Sequence, residues 1–352
     1  MTDIFLKLKK QYEAKLPFAV YAKPGSSSLT GVFQTTPETF TNAELNGSGF
    51  IFAPFTDGET VFIPYDKAQI VVAEVKENDG TIANHARAPE INIEGKRDFE
   101  ALVTKCIEVI KHNGFEKLVA SRTETVETVS SVEGIYKKLL ALYPNAFRYV
   151  FYSPLSGLWM GATPEQLLKV ENNAVHTVAL AGTQLYNPAE TTVWEEKEQQ
   201  EQLFVTNYIV NHLKPFSESV VTTEPYTFRA GGIVHIKTDI SAELSETVSL
   251  ADVIKTLHPT PAVCGLPKQQ AKEWLLQNEG YNREYYSGFL GELNHDFATR
   301  QPKTDLFVNL RSMKLSAGNA QLFVGCGITK NSDPEKEFFE TVNKSMTMRR
   351  AL

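Results

Sequence analysis

Four groups of residues are of types and spacings that could do chemistry. Glu198 and Glu201 lie three apart, as do Glu337 and Glu340, and on a helix that spacing puts both carboxylates on one face. Magnesium takes hard oxygen ligands, binds through one or two carboxylates and keeps water or substrate oxygens elsewhere. One carboxylate from each of two helices would suit it, although a solvated charged face is the other reading of the EEKEQQEQ run. Glu165, in GATPEQLLKV, follows a strand-like run ending LWMG and stands among proline, glycine and apolar residues. Partial burial there would let the carboxyl keep its proton and act as a general acid. The alternative is a helix-start glutamate after Thr163-Pro164. Among the basic groups, Lys117 opens KLVASR, Arg311 closes DLFVNLR, and Lys344 lies one turn after Glu340. An arginine fork matches a carboxylate, and a lysine near other cations or partly desolvated can become a base. His258, in HPTPAV, reads as a ligand, a proton carrier or a turn residue. The turns ALAGT, YYSGFLGEL and GCGIT could bring backbone N–H groups up to an anion. None of them spells a nucleotide-phosphate loop, and the seven histidines show no HExxH.

These residues need a large scaffold, and the composition provides one. The chain has 352 residues, 42% hydrophobic and 22% charged, an ordinary globular balance that excludes disordered, collagenous and coiled-coil classes. A net charge of −7 argues against a nucleic-acid binder, yet leaves room for a locally positive pocket. The three cysteines, Cys106, Cys264 and Cys326, fit no zinc spacing and suit a reducing cytosol. No run approaches a membrane span, and the charged start MTDIFLKLKKQYEAKL has no signal-peptide core, so the expected location is cytoplasmic. Without a large exposed apolar helix face, the expectation is a monomer.

The first ninety or so residues read as short strands: PFAVYA, GFIFAPF, VFIPY and QIVVAEV. A helix follows from about Lys96 to His112, with Phe99, Leu102, Val103, Cys106, Ile107 and Ile110 on one face. Val129 to Tyr143 repeats the pattern. Strand-like runs FRYVFY, LLKV and HTVAL precede a polar helix beginning near Thr192, and another helix starts at Pro267. DLFVNLR and AQLFVG lead into a last helix, where Ser332 and Glu335 could form a capping box with Pro334 in the first turn. Strand groups mixed with helices, without strict alternation, indicate a large α+β architecture.

GATPEQLL, ALAGT, LHPTPAVCGLPK, REYYSGFLGEL and GCGITKNSDPEKEFFETVNK, in that order, together resemble the chorismate-utilising enzymes. That family contains isochorismate, salicylate, anthranilate and aminodeoxychorismate synthases. The likeness runs from about residue 95 to the C-terminus, which makes residues 1–352 one chorismate-binding domain with a variable strand region (1–95) and a family core (96–352). The resemblance implies two packed antiparallel sheets flanked by helices in four layers. It implies a magnesium-dependent enzyme acting on chorismate, with no obligatory protein partner, and points most closely to the isochorismate synthases of menaquinone or siderophore type. In that reaction water adds at C2 while the C4 hydroxyl leaves. Lys117 then matches the general base and Glu165 the general acid. Glu201 and Glu340 match direct magnesium ligands, with Glu198 and Glu337 close by or acting through water. Arg311, Tyr286, Lys344 and the backbone of Gly327 match the groups that hold the substrate carboxylates, and Gly182, Thr183 and His258 line the same pocket. Ala262, where salicylate synthases tend to carry threonine, favours stopping at isochorismate. Ala181 stands where the aminodeoxychorismate branch carries a nucleophilic lysine. A salicylate-forming lyase, an anthranilate-type aminase and a non-catalytic chorismate-binding protein are the competing expectations.

Overall fold

Runs such as FAVYA and GFIFA carry no polar alternation, so strands made from them must be covered on both faces. That is how a computed structural model of the protein, which describes residues 2–56, 58–75, 90–112, 114–230 and 232–352, builds them. Phe18, Val20 and Ala22 point to one side of their strand and pack with helix residues such as Ile4, Phe5, Ile135 and Tyr136. Ala19 and Tyr21 point to the other and meet Phe50, Phe52 and Ile63 of a second sheet. This period-two division is the strand's own geometry.

Among the described residues the first sheet has nine strands. It runs from Gly265–Leu266 through Lys117–Glu127, Asn319–Ile328, Ser312–Ser316, Gly157–Thr163 and Phe147–Ser153 to Phe18–Ala22, Ser28–Gln34 and Ala68–Glu74. The second runs from Ser217–Thr222 through Ile233–Leu244, Ala174–Leu185, Gln166–Glu171, Thr304–Val308 and Phe289–Leu293 to Gly49–Ala53, Val61–Pro64 and Phe40–Thr41, with Tyr226–Ala230 also paired to Ile233–Leu244. Neighbouring strands among the described residues pair antiparallel. Aromatic side chains fill the space between the sheets: Phe147 stacks on Phe307 at 4.2 Å and Phe52 on Tyr285 at 4.4 Å.

Helices among the described residues are α1 (Thr2–Glu13), α2 (Ile93–His112), α3 (Val132–Leu142), α4 (Glu196–Leu213), α5 (Leu250–Leu257), α6 (Lys268–Asn278) and α7 (Pro334–Arg349). α1 and α3 cover the outer face of the first sheet, and α4 and α5 that of the second. α2, α6 and α7 pack on the strands at one end of the first sheet. The architecture is therefore the expected α+β arrangement of two antiparallel sheets flanked by helices. No described helix is long and apolar enough to cross a membrane.

Several local expectations change. The polar helix starts at Glu196 rather than near Thr192, since the backbone is still extended at Glu195, its N-cap. α7 is capped by Asp333, whose side chain accepts from the Lys336 N–H at 2.9 Å, with Pro334 in the first turn. Ser332 instead accepts from the Thr329 N–H in the preceding turn. α1 is amphipathic, with Ile4, Phe5 and Leu8 buried.

Candidate functional site

Two of the places where the chain crosses from one sheet to the other are neighbours, and both carry charged side chains. Pro164-Glu165 joins the strand Gly157–Thr163 of the first sheet to Gln166–Glu171 of the second. Asn309 to Arg311 joins Thr304–Val308 of the second to Ser312–Ser316 of the first. The crossings are bonded to each other. Thr163 Oγ1 donates to Val308 O at 2.6 Å, the Val308 N–H donates to Glu165 O at 3.0 Å, and the Ala162 N–H donates to Arg311 O at 3.0 Å. No helix follows Glu165, so the helix-start reading is replaced by a sheet-to-sheet corner. Arg311 does not close a strand, since that strand ends at Val308. It lies in the connector with φ +47°, a left-handed conformation that costs a non-glycine residue of order 1 kcal/mol.

Glu165 and Arg311 face a small cavity of about 60 Å³ that opens to solvent. Gly182, Thr183, Glu201, Ala262, Tyr286, Gly327 and Lys344 also line it. Most sequence-predicted site residues are thus brought together. Lys117 lies immediately behind, fully buried, with Nζ 2.9 Å from Glu201 Oε1. That contact is an ion pair without good hydrogen-bond alignment, and Nζ has no other acceptor among the described residues.

His258 is not brought to the cavity. It caps the C-terminal end of α5, packs edge-on against Phe289 at 4.9 Å, and burial pushes its imidazole down to about 3. His235, which the sequence reading passed over, takes a place in the lining. Its Nδ1 is 2.9 Å from Gly182 O. A carbonyl can only accept, so Nδ1 carries the hydrogen and the Nε2 lone pair faces the Arg311 guanidinium, 3.5 Å away. Burial, reinforced by Arg311 and Lys344, lowers the imidazole to about 3 and keeps it neutral.

The charges divide the cavity's roles. Burial raises the Glu165 carboxyl to about 7, against the opposing pull of Lys117, Arg311 and Lys344. Desolvation therefore wins, and near neutral pH the group can still give up a proton. At Glu201, burial is outweighed by Lys117, with help from Lys197 and Lys344, and the carboxyl is held below its ordinary range. Lys344 Nζ contacts Glu340 Oε1 at 2.7 Å and Gly325 O at 3.0 Å. A cavity with a protonated acid and clustered cations is built for an anionic, oxygen-rich ligand.

Two glycines are required by close approach. Gly182 has φ +71°, and a Cβ there would lie 3.0 Å from the Glu198 Cβ. It occupies a bulge, where the pairing of Ala174–Leu185 with Ile233–Leu244 shifts between Ala181 and Gln184. A Cβ on Gly327 would lie 2.1 Å from Glu201 Oε1 and 2.9 Å from Lys117 Cε. Gly327→Ala should therefore push the Lys117–Glu201 pair apart and lower stability by about 1–3 kcal/mol, as overpacking does. A thermal midpoint equal to that of the parent would show that the pair yields freely.

Three of the four predicted metal glutamates, Glu198, Glu337 and Glu340, line a cleft between α4 and α7 together with Lys197, while Glu201 faces the cavity. Among the described residues, no three acidic, histidine or cysteine side chains are arranged to hold a cation as they stand. Lysines occupy three of the four carboxylates: Lys117 that of Glu201, Lys197 that of Glu337, and Lys344 that of Glu340. However, Glu198 Oε2 and Glu337 Oε2 are buried and find no hydrogen-bond partner among the described residues, a costly state for a carboxylate oxygen. Burial raises both carboxyls, and Glu340 adds to the effect at Glu337. Partnerless buried hard oxygens on two facing helices fit a divalent cation such as magnesium.

The chain is similar to several known proteins. A salicylate biosynthesis isochorismate synthase of Pseudomonas aeruginosa is 30% identical over 268 residues, 73% of this chain and 55% of that protein. The isochorismate synthase MenF of Escherichia coli K12 is 28% identical over 270 residues, 73% of this chain and 60% of that one. The chain thus matches little more than half the length of these relatives. The solved structure of the Escherichia coli menaquinone-specific isochorismate synthase MenF shares the fold, with a TM-score of 0.77 at 21% identity, over 96% of this chain and 88% of that one. The model of the chorismate binding enzyme family matches residues 59–352, a span that holds every residue placed at the cavity and the cleft. The chain belongs to the chorismate binding enzyme family.

Proposed function

We propose that this protein is an isochorismate synthase, isomerising chorismate by adding water at C2 as the C4 hydroxyl departs. The observation that carries the reading is Glu165: a buried carboxyl raised to about 7, in a cavity it shares with Arg311 and Lys344. The reaction needs an acid at the leaving hydroxyl and a base at the incoming water, and it returns the proton it takes, so the product is an isomer. Glu165 is assigned as the acid. Lys117 is assigned as the base. Its Nζ lies 2.9 Å from Glu201 Oε1, which fixes its position behind the cavity.

Arg311, Lys344, Tyr286 and the backbone at Gly327 are assigned to the carboxylates of the substrate. An arginine fork and backbone donors hold such groups in a fixed orientation. Glu198, Glu201, Glu337 and Glu340 are assigned to magnesium, which when bound would take up part of the negative charge of a substrate carboxylate. Neutral His235 keeps its Nε2 lone pair on Arg311 and steadies that guanidinium without adding charge.

Product analysis tests the proposal: purified protein with chorismate and magnesium, with and without ammonium. The expected product is a species isomeric with chorismate, formed only with the metal and indifferent to ammonium. Salicylate with pyruvate would place the protein with the lyases, an ammonium requirement would place it with the aminases, and no turnover would leave a chorismate-binding protein.

A further inference from the structure

Lys197 belongs to the cleft between α4 and α7, and nothing in the proposed reaction uses it. Its Nζ lies 2.5 Å from Glu337 Oε1. The Glu337 side chain is only 1% exposed, while that of Lys197 is 26% exposed. The two therefore differ in freedom: the carboxylate is fixed on a buried helix face, and the ammonium sits on a long stem with a route to solvent. The other Glu337 oxygen is buried and partnerless among the described residues, as is Glu198 Oε2 one residue along from Lys197. One ammonium thus satisfies one oxygen of a group of carboxylates that could satisfy a doubly charged ion.

We infer that Lys197 is a built-in counter-ion that occupies the cation position of the cleft and has to swing out to solvent when a divalent metal binds. The inference rests on the magnesium reading above and adds a competition that the reading does not require. Its consequence is that apparent metal affinity is set partly by the lysine. If the ammonium holds the position about nine-tenths of the time, the metal binds about tenfold more weakly than to the bare carboxylates.

The test is amine labelling of the intact protein, read residue by residue by mass spectrometry, with and without magnesium chloride. Lys336, an exposed lysine lining the same cleft, serves as the internal control. Labelling of Lys197 relative to Lys336 should rise several-fold with magnesium. In calorimetry, Lys197→Gln should bind magnesium about tenfold more tightly than the parent. If calorimetry shows magnesium binding to the parent while Lys197 labelling stays constant or falls, the lysine remains in place beside the metal and the inference is wrong. If the parent binds no magnesium at all, the metal assignment fails and this inference fails with it.

Discussion

Glu165→Gln should abolish most turnover while leaving the fold intact. Removing a positioned general acid costs typically ~10²–10⁴-fold, and the amide is close to isosteric with a carboxyl that is 4% exposed. The pH dependence has a definite sign. An acid works only while protonated, and Glu165 is raised to about 7 from an ordinary value of 4.5. In the parent protein kcat/KM should therefore fall as pH rises through about 7, and that limb should vanish from the residual activity of the variant. Stability moves in the opposite sense. A carboxyl whose folded value is raised binds its proton more tightly in the folded state. Its contribution is fully present below about pH 4.5, declines as pH rises through about 7, and leaves a buried charge above that. The amide escapes this loss, so above pH 7 the variant should be more stable than the parent, by at most about 3 kcal/mol. A variant that is inactive and also no more stable at pH 8 would place the proton elsewhere.

Lys117→Met should be the most damaging single change to the site. The lysine is fully buried and its ammonium faces Glu201, itself largely buried. Deleting one member of a buried pair leaves the other's charge uncompensated and costs about 3–5 kcal/mol. Turnover should be lost as well, because the assigned base is gone. Adding Glu201→Gln separates the two effects, since the double variant has no orphaned charge. It should recover much of the lost thermal stability and none of the activity. Recovery of activity in the double variant would show that Lys117 serves only to neutralise Glu201.

The strands and helices of this fold were largely legible because their signals are local. Apolar runs bounded by turns marked the doubly covered strands, and the face of Phe99, Leu102, Val103, Cys106 and Ile110 marked α2. The composition of the site was legible too: Glu165, Gly182, Arg311, Tyr286 and Lys344 all reach one cavity. What could not be read was set by distant parts of the chain. His258 and His235 are each single histidines among apolar residues. Only the crossing of the sheets decides that the second faces Arg311 and the first faces Phe289. A signal existed for His235, namely its position inside the alternating run IVHIKTDI, on a strand that returns beside ALAGT. Metal-ligand spacing does not single that position out. The glutamate pairs were visible, but Lys117 and Lys197 reach Glu201 and Glu337 from other elements, and Lys344 reaches Glu340 from one turn further along α7. Ser332 and Asp333 both offer a cap to α7, and only the turn before the helix decides between them.

The aromatic stack beside the cavity makes the protein its own optical sensor. Trp159 is fully buried and lies on Phe323 at 5.0 Å, and Phe323 in turn lies on Tyr286 at 5.6 Å. Phe323 and Tyr286 both line the cavity. A ligand seated against them alters the surroundings of a tryptophan that water and small quenchers do not reach. The other two tryptophans, Trp194 and Trp274, are partly exposed, so a soluble quencher removes their emission and leaves that of Trp159. Occupancy of the cavity can thus be followed by light alone, in variants that bind and do not react.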